Sequence, residues 1–138
     1  MPVRVLIIED SDLMLRFLAC SLRPKFECVL ASSGRKAVAL FAEALELGQP
    51  FDLVLTDYHL PDVSGLDVAR SIREMEQAPA GAAACGIMVL SSDATLEETR
   101  PQGREYGISG WLTKPVLPDE LLRRTRELLE ERAAGRPG

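Results

Sequence analysis

Five polar side chains stand where short apolar runs end: Glu9 and Asp10 after residues 3–8, Asp57 after 53–56, Ser91 after 87–90 and Lys114 after 111–113. If these runs are parallel strands of one sheet, their carboxyl ends share an edge, and ligand crevices of open α/β sheets form there. Three carboxylates, a hydroxyl and an ammonium would then face one cleft. Two carboxylates about 5 Å apart repel by about 3 kcal/mol at an effective dielectric of 20, so a proton or a cation must relieve the cluster. Oxygen-only ligands open to water suit Mg2+, which keeps several of its waters. A catalytic zinc would want His or Cys, and His59 is the only histidine. Beside such a cation a carboxylate can attack phosphorus and become an acyl phosphate. Lys114 offers a point charge to one phosphoryl oxygen and Ser91 a hydrogen bond to another. Phosphoryl transfer needs little beyond that positioning and charge cancellation. Taken singly, Glu9-Asp10 reads as a capping turn, Asp57 as a turn aspartate, Ser91-Ser92 as a loop and Lys114-Pro115 as a surface turn. Their coincidence at four strand ends carries the chemical reading.

The elements that must place these residues alternate regularly. Residues 3–8 are almost wholly apolar, as expected of a strand covered on both faces. Residues 11–22 carry Met14, Phe17, Leu18 and Leu22 at helical spacing, with Ser11 or Asp12 as the cap and a stop before Pro24. A second strand is expected at 26–31, followed by a helix with Ala37, Leu40, Phe41, Ala44 and Leu45 inward, ended by Gly48. Residues 51–56 read as a third strand, 59–65 as a turn-rich connection, and Leu66, Ala69, Ile72 and Met75 as the inner stripe of a third helix. The small residues of 77–86 read as a loop before a fourth strand at Ile87. A fourth helix is expected over 96–106, opened by Thr95 with Glu98 three residues on. Pro101 and Gly103 fall inside it; an interior proline costs about 3 kcal/mol, which predicts a helix that is kinked, short or started late near Arg100. Residues 110–113 form a brief fifth strand. Pro118 opens a last helix whose Leu121, Leu122, Thr125, Leu128 and Leu129 make one stripe, with its arginines and glutamates paired outside.

Strands alternating with helices require right-handed crossovers, and therefore a doubly wound α/β domain: a five-stranded parallel sheet with helices on both faces. The flavodoxin-like order 2-1-3-4-5 is the common solution at this size. It would make Glu9, Asp10 and Asp57 neighbours at the switch point.

Composition narrows the classes of function. At 138 residues the chain suits one domain, 1–138, with one substantial core and no output domain. Hydrophobic residues at 46% and charged residues at 27% fit neither a disordered tail nor a membrane protein. A net charge of −5 argues against direct nucleic-acid binding, which needs a basic stripe. No segment approaches the roughly 20 apolar residues of a membrane span, and the start Met1-Pro-Val leads straight into a strand, so a cytoplasmic protein without an N-terminal extension is expected. Cys20, Cys28 and Cys85 show no metal-ligand spacing and read as buried, reduced thiols.

The motifs Ile8-Glu9-Asp10-Ser11, residues 55–65 around Asp57, Leu90-Ser91-Ser92 and Trp111-Leu112-Thr113-Lys114-Pro115, in that order and spacing, resemble the receiver domain of two-component response regulators over Val3 to about Arg132. The resemblance implies that Asp57 accepts a phosphoryl group from the phosphohistidine of a sensor histidine kinase or phosphotransfer protein, or from a small phosphodonor. Mg2+ would be held by Glu9, Asp10, Asp57 and the backbone carbonyl of His59, directly or through water. Ser91 corresponds to the family's switch hydroxyl and Trp111 to its switch aromatic, although plain core packing also accounts for a tryptophan there. Their movement would alter the face made by the fourth helix, the fifth strand and the last helix, where a downstream protein effector, or a second copy in a phosphorylation-dependent homodimer, would read it. Lys114-Pro115 would be joined by a cis peptide. His59 and Asp93 flank the site where the family tunes acyl-phosphate hydrolysis. Ser92 replaces the usual Ala, making the cleft mouth more polar. Such a domain is a signalling switch rather than an enzyme, catalysing only its own phosphorylation and dephosphorylation.

Three alternatives compete. The chain could be the receiver fragment of a hybrid histidine kinase or phosphorelay protein. It could be a small flavodoxin-like cofactor-binding protein, but that needs a phosphate-cradling glycine-rich turn after the first strand, where Glu9-Asp-Ser-Asp12 would repel phosphate. A metal-dependent phosphatase would want an acid/base aspartate close behind Asp57, where Tyr58-His59 stands.

Overall fold

In a computed structural model that describes residues 2–76, 84–92 and 105–134, the apolar runs form five strands. These are β1 (Arg4–Ile8), β2 (Glu27–Ala31), β3 (Leu53–Asp57), β4 (Gly86–Ser91) and β5 (Gly110–Thr113). All neighbouring pairs are parallel, and the order is β2-β1-β3-β4-β5, as the sequence predicts. Among the described residues four helices accompany them: α1 (Asp12–Leu22), α2 (Gly34–Glu46), α3 (Gly65–Glu76) and α4 (Pro118–Ala134). The helix expected over 96–106, with Pro101 and Gly103, falls almost wholly outside the described residues, and so does Asp93.

Continuous apolar strands are explained by a core on each face of the sheet. Side chains alternate along a strand, so Val5, Ile7, Leu53, Leu55, Met88, Leu90 and Leu112 pack beneath α1 and α4. Leu6, Ile8, Val54, Ile87 and Val89 pack beneath α2 and α3. Complete burial of one such side chain contributes about 1.5–3 kcal/mol, so both cores are needed to hold the sheet.

The helix ends follow their capping residues. Ser11 caps α1, its Oγ accepting the Met14 N–H at 3.3 Å, and Ser33 caps α2, accepting the Lys36 N–H at 3.2 Å. Gly48, at φ 70°, ends α2 in the left-handed conformation that glycine adopts without a Cβ penalty. At the end of the sheet away from the five polar residues, Arg132 of α4 pairs with Asp52 at 3.0 Å and donates to the Ala84 carbonyl at 2.8 Å. Asp52 in turn accepts the Arg4 N–H at 2.9 Å, tying α4 to the starts of β1 and β3.

Two expectations need correction and one is extended. Strand β3 starts later than 51 and runs through Asp57, because Asp57 still pairs in register with Leu90 of β4. In α3 the inner stripe takes in Gly65 and Val68 besides the expected Leu66, Ala69 and Ile72, with Met75 packed against it partly buried. Of the cysteines expected to be buried, Cys85 is, Cys28 is half-buried and Cys20 is exposed, since it points away from the Leu15–Leu18–Ala19–Leu22 stripe of α1; all three thiols are free. No described helix is long and apolar enough to cross a membrane.

Candidate functional site

Sheet register brings the polar residues together. Ile8 of β1 lies opposite Thr56 of β3, so Glu9 and Asp57, one position on, emerge side by side. Backbone bonds extend the ladder past the strand ends: the N–H of Glu9 donates to Ala31 O at 3.1 Å, Tyr58 to Leu90 O at 2.9 Å, and Lys114 to Ser91 O at 3.0 Å. The site thus sits on hydrogen-bonded backbone rather than on free loops. One carboxylate oxygen from each of Glu9, Asp10 and Asp57 lies within 4.8 Å of the others. Glu9 and Asp57 are buried and Asp10 is exposed, so the cluster opens to solvent on the Asp10 side.

Lys114 is the cation that faces this cluster. Its Nζ is 3.0 Å from Asp57 Oδ1 and 3.9 Å from Glu9 Oε2. The peptide linking it to Pro115 is cis, as the resemblance implies. One ammonium against three carboxylates leaves an excess of negative charge. The result is visible at Glu9, whose carboxyl is pushed up to about 7 by burial first and by the charge of Asp57 second, against the opposing Ser11 N–H and Lys114. Glu9 Oε2 has no hydrogen-bond partner among the described residues although it is buried. A buried acceptor of this kind is costly unless something supplies positive charge. A divalent cation held by the three carboxylates would do so, and the oxygen-only donor set fits a hard cation.

Ser91, the last residue of β4, is buried, and its Oγ likewise lacks a hydrogen-bond partner among the described residues. By strand alternation it points to the α2/α3 face, where Trp111 packs partly buried. Trp111 lies opposite Val89 in the register, with Ser91 opposite Thr113 two positions on. Both therefore belong to one face near the same edge. His59 follows at the start of the connection after β3, its ring edge-on to Tyr58 with centroids 4.8 Å apart and its backbone bridged to Ser64. Gly65 closes that connection by donating its N–H to the Tyr58 carbonyl at 2.8 Å. A Cβ at Gly65 would come 2.5 Å from the Asp57 carbonyl oxygen, which is why only glycine fits behind the site.

Glu9, Asp10, Asp57, Ser91 and Lys114, expected at one edge, are found there, whereas Asp93 lies outside the described residues. One further residue was missed. Asp62 reaches across to α2 and accepts N–H groups from Gly34 at 3.0 Å and Arg35 at 2.9 Å. A turn aspartate is visible in the sequence, but nothing in it points to a partner almost thirty positions earlier.

The family described as response regulator receiver domain matches residues 5–126. The transcriptional regulatory protein AruR of Pseudomonas aeruginosa is 31% identical over 130 residues, covering 94% of this chain and 50% of the relative. The chain spans half or less of the length of the curated relatives it matches. Among solved structures, the receiver domain of a Saccharomyces cerevisiae response regulator, in complex with its histidine phosphotransfer protein, is similar at 27% identity. Its TM-score is 0.81, with 96% of this chain and 92% of that one covered. The receiver domain of a sensor histidine kinase from Pseudomonas aeruginosa, with a magnesium ion coordinated in its active site cleft, is similar at 25% identity. Its TM-score is 0.76, with 94% and 99% covered.

Proposed function

The chain belongs to the response regulator receiver domain family, and from that premise we propose that it takes a phosphoryl group onto Asp57 and relays the change to a protein partner. The observation that carries this reading is a buried carboxylate, Asp57, contacted by the Lys114 ammonium at 3.0 Å and clustered with Glu9 and Asp10 within 4.8 Å. An Asp57 carboxylate oxygen attacks phosphorus, a P–O bond forms as the P–N bond of a donor phosphohistidine breaks, and the electron pair leaves on the imidazole, which takes up a proton. Glu9, Asp10, Asp57 and the backbone carbonyl of His59 would hold Mg2+, which when bound supplies positive charge against the incoming phosphoryl oxygens. Lys114 holds one further oxygen by charge, and the Ser91 hydroxyl, without a partner among the described residues, donates to another. On that reading Ser91 turns toward the phosphoryl group and Trp111, on the same face of the sheet, follows it inward.

A macromolecular donor must bring its phosphohistidine to this cleft. Alongside it an apolar groove of about 570 Å3, lined by Leu13, Met14, Phe17, Cys20, Pro115 and Val116, supplies a surface for a helix of a sensor kinase or phosphotransfer protein. Leu13, 81% exposed, adds its side chain to the apolar surface of this groove. A receiver carried inside a longer sensor kinase would use the same chemistry, and the Pseudomonas aeruginosa structure is a receiver of that kind. The flavodoxin-like alternative finds no support, because the turn after β1 presents Glu9 and Asp10 where a cofactor phosphate would need backbone N–H groups.

Incubation with acetyl phosphate and Mg2+, followed by intact-mass measurement, tests the reading. One phosphoryl group should be added to the unaltered protein and none to Asp57→Asn. Modification that persists in Asp57→Asn would remove Asp57 as the acceptor.

A further inference from the structure

The connection between β3 and α3 carries the His59 carbonyl and is fixed at both ends. Tyr58 donates to Leu90 O at 2.9 Å, and Gly65 donates back to Tyr58 O at 2.8 Å. Its outer bend is held differently. The Asp62 carboxylate accepts the Gly34 N–H on Oδ1 at 3.0 Å and the Arg35 N–H on Oδ2 at 2.9 Å. These are the first two N–H groups of α2, which have no acceptor within the helix. The third, Lys36 N–H, is taken by Ser33 Oγ at 3.2 Å. The amino end of α2 is thus satisfied jointly by its own cap and by a residue of the site connection. Beside the clamp, Val63 packs so closely on Gly34 that a Cβ there would overlap its methyl group.

We propose that Asp62 is a positioning residue for the cation site: by clamping the bend of residues 58–64 onto the amino end of α2, it sets where the His59 carbonyl stands relative to Glu9, Asp10 and Asp57. The inference rests on the functional reading above. Ligand groups are oriented by the partners behind them, and losing such a partner typically weakens metal binding by about 10–100-fold. Asp62 carries two charge-assisted bonds, and the N–H groups of Arg35 and then Gly34 keep its carboxyl below the usual range, so the clamp stays anionic and closed at neutral pH.

The test compares Asp62→Ala, Asp62→Asn and Ser33→Ala with the unaltered protein by magnesium titration calorimetry, alongside amide hydrogen exchange without metal. Asp62→Ala should weaken magnesium binding by about tenfold or more and speed exchange of the Gly65 amide. Asp62→Asn, which keeps one strong acceptor oxygen, should lie between. Ser33→Ala removes a cap from the same helix end without touching the connection, so its affinity should stay within about twofold of the unaltered protein. An Asp62→Ala affinity within twofold of the original would overturn the clamp, as would an equal loss in Ser33→Ala, which would make the effect one of helix stability. A protein that binds no magnesium in any form would overturn the functional reading and this inference with it. Binding that is normal in all three variants would overturn the inference alone.

Discussion

Magnesium binding should expel a proton, and Glu9 is where it comes from. Without the cation the Glu9 carboxyl sits at about 7, raised by burial and by Asp57. A dication within about 5 Å attracts the carboxylate by about 7 kcal/mol at an effective dielectric of 20, enough to ionise it throughout the neutral range. At pH 7 about half of the molecules carry the proton beforehand, so about half a proton leaves per magnesium bound, and about a tenth at pH 8. The same equilibrium makes the apparent affinity at pH 6 about tenfold weaker than at pH 8. The sign for folding is consistent. A carboxyl held above its ordinary 4.5 favours the fold while protonated, a contribution complete below about 4.5 and lost as the pH rises through about 7. Magnesium should therefore raise the melting temperature more at pH 8 than at pH 6. Calorimetric titrations in buffers of different ionisation enthalpy give the proton count directly from the slope of observed enthalpy. Glu9→Gln should abolish the count and flatten the pH dependence. A slope of zero at pH 7 in the unaltered protein, or equal affinities at pH 6 and pH 8, would refute the argument by showing that Glu9 is already ionised.

Two further outcomes concern packing. Thr125 in α4 is fully buried and its Oγ1 has no hydrogen-bond partner among the described residues, so Thr125→Val, which keeps the shape and removes the stranded hydroxyl, should raise stability by about 1 kcal/mol in urea unfolding. A loss of stability would mean the hydroxyl is satisfied in solution. Gly34→Ala sets a helix-propensity gain of about 1 kcal/mol against an overlap with Val63 that costs about 1–3 kcal/mol, so a net loss is expected in the same assay. A stabilised Gly34→Ala would show that Val63 moves aside freely.

What the sequence made legible is what depends on local pattern. The doubly apolar strands follow from burial on both faces, and β5 falls on residues 110–113 as expected. The strand-end carboxylates could be placed because register does the rest: with Ile8 opposite Thr56, Glu9 and Asp57 have nowhere else to emerge. Cys20 was misplaced because cysteine is usually buried, whereas its angular position on α1, next to Ala19 but off the inner stripe, already pointed outward. The proton on Glu9 was out of reach, since it depends on how deeply the side chain is buried and on the distance to Lys114, neither of which is local. Asp62 was hidden for a related reason: its partners belong to a helix that only the folded sheet brings near.

The alternation of side chains along the strands also divides the site in a way that bears on signalling. Asp57 continues the series Leu53, Leu55 and points toward the α1/α4 face, with Lys114 against it. Ser91 continues the series Ile87, Val89 and points toward the opposite face, the one on which Trp111 packs. A phosphoryl group on Asp57 would therefore stand at the seam between the two cores, its charge met by Lys114 from one side and its hydrogen bond by Ser91 from the other. Ser91 starts on the α2/α3 face, so on the proposed reading a rotation of its hydroxyl toward that seam would vacate space on that face. Trp111 is the large side chain on that face of β5, two register positions from the partner of Ser91, and it is only partly buried. On the function proposed above, chemistry at Asp57 on one face would then be read at Trp111 on the other.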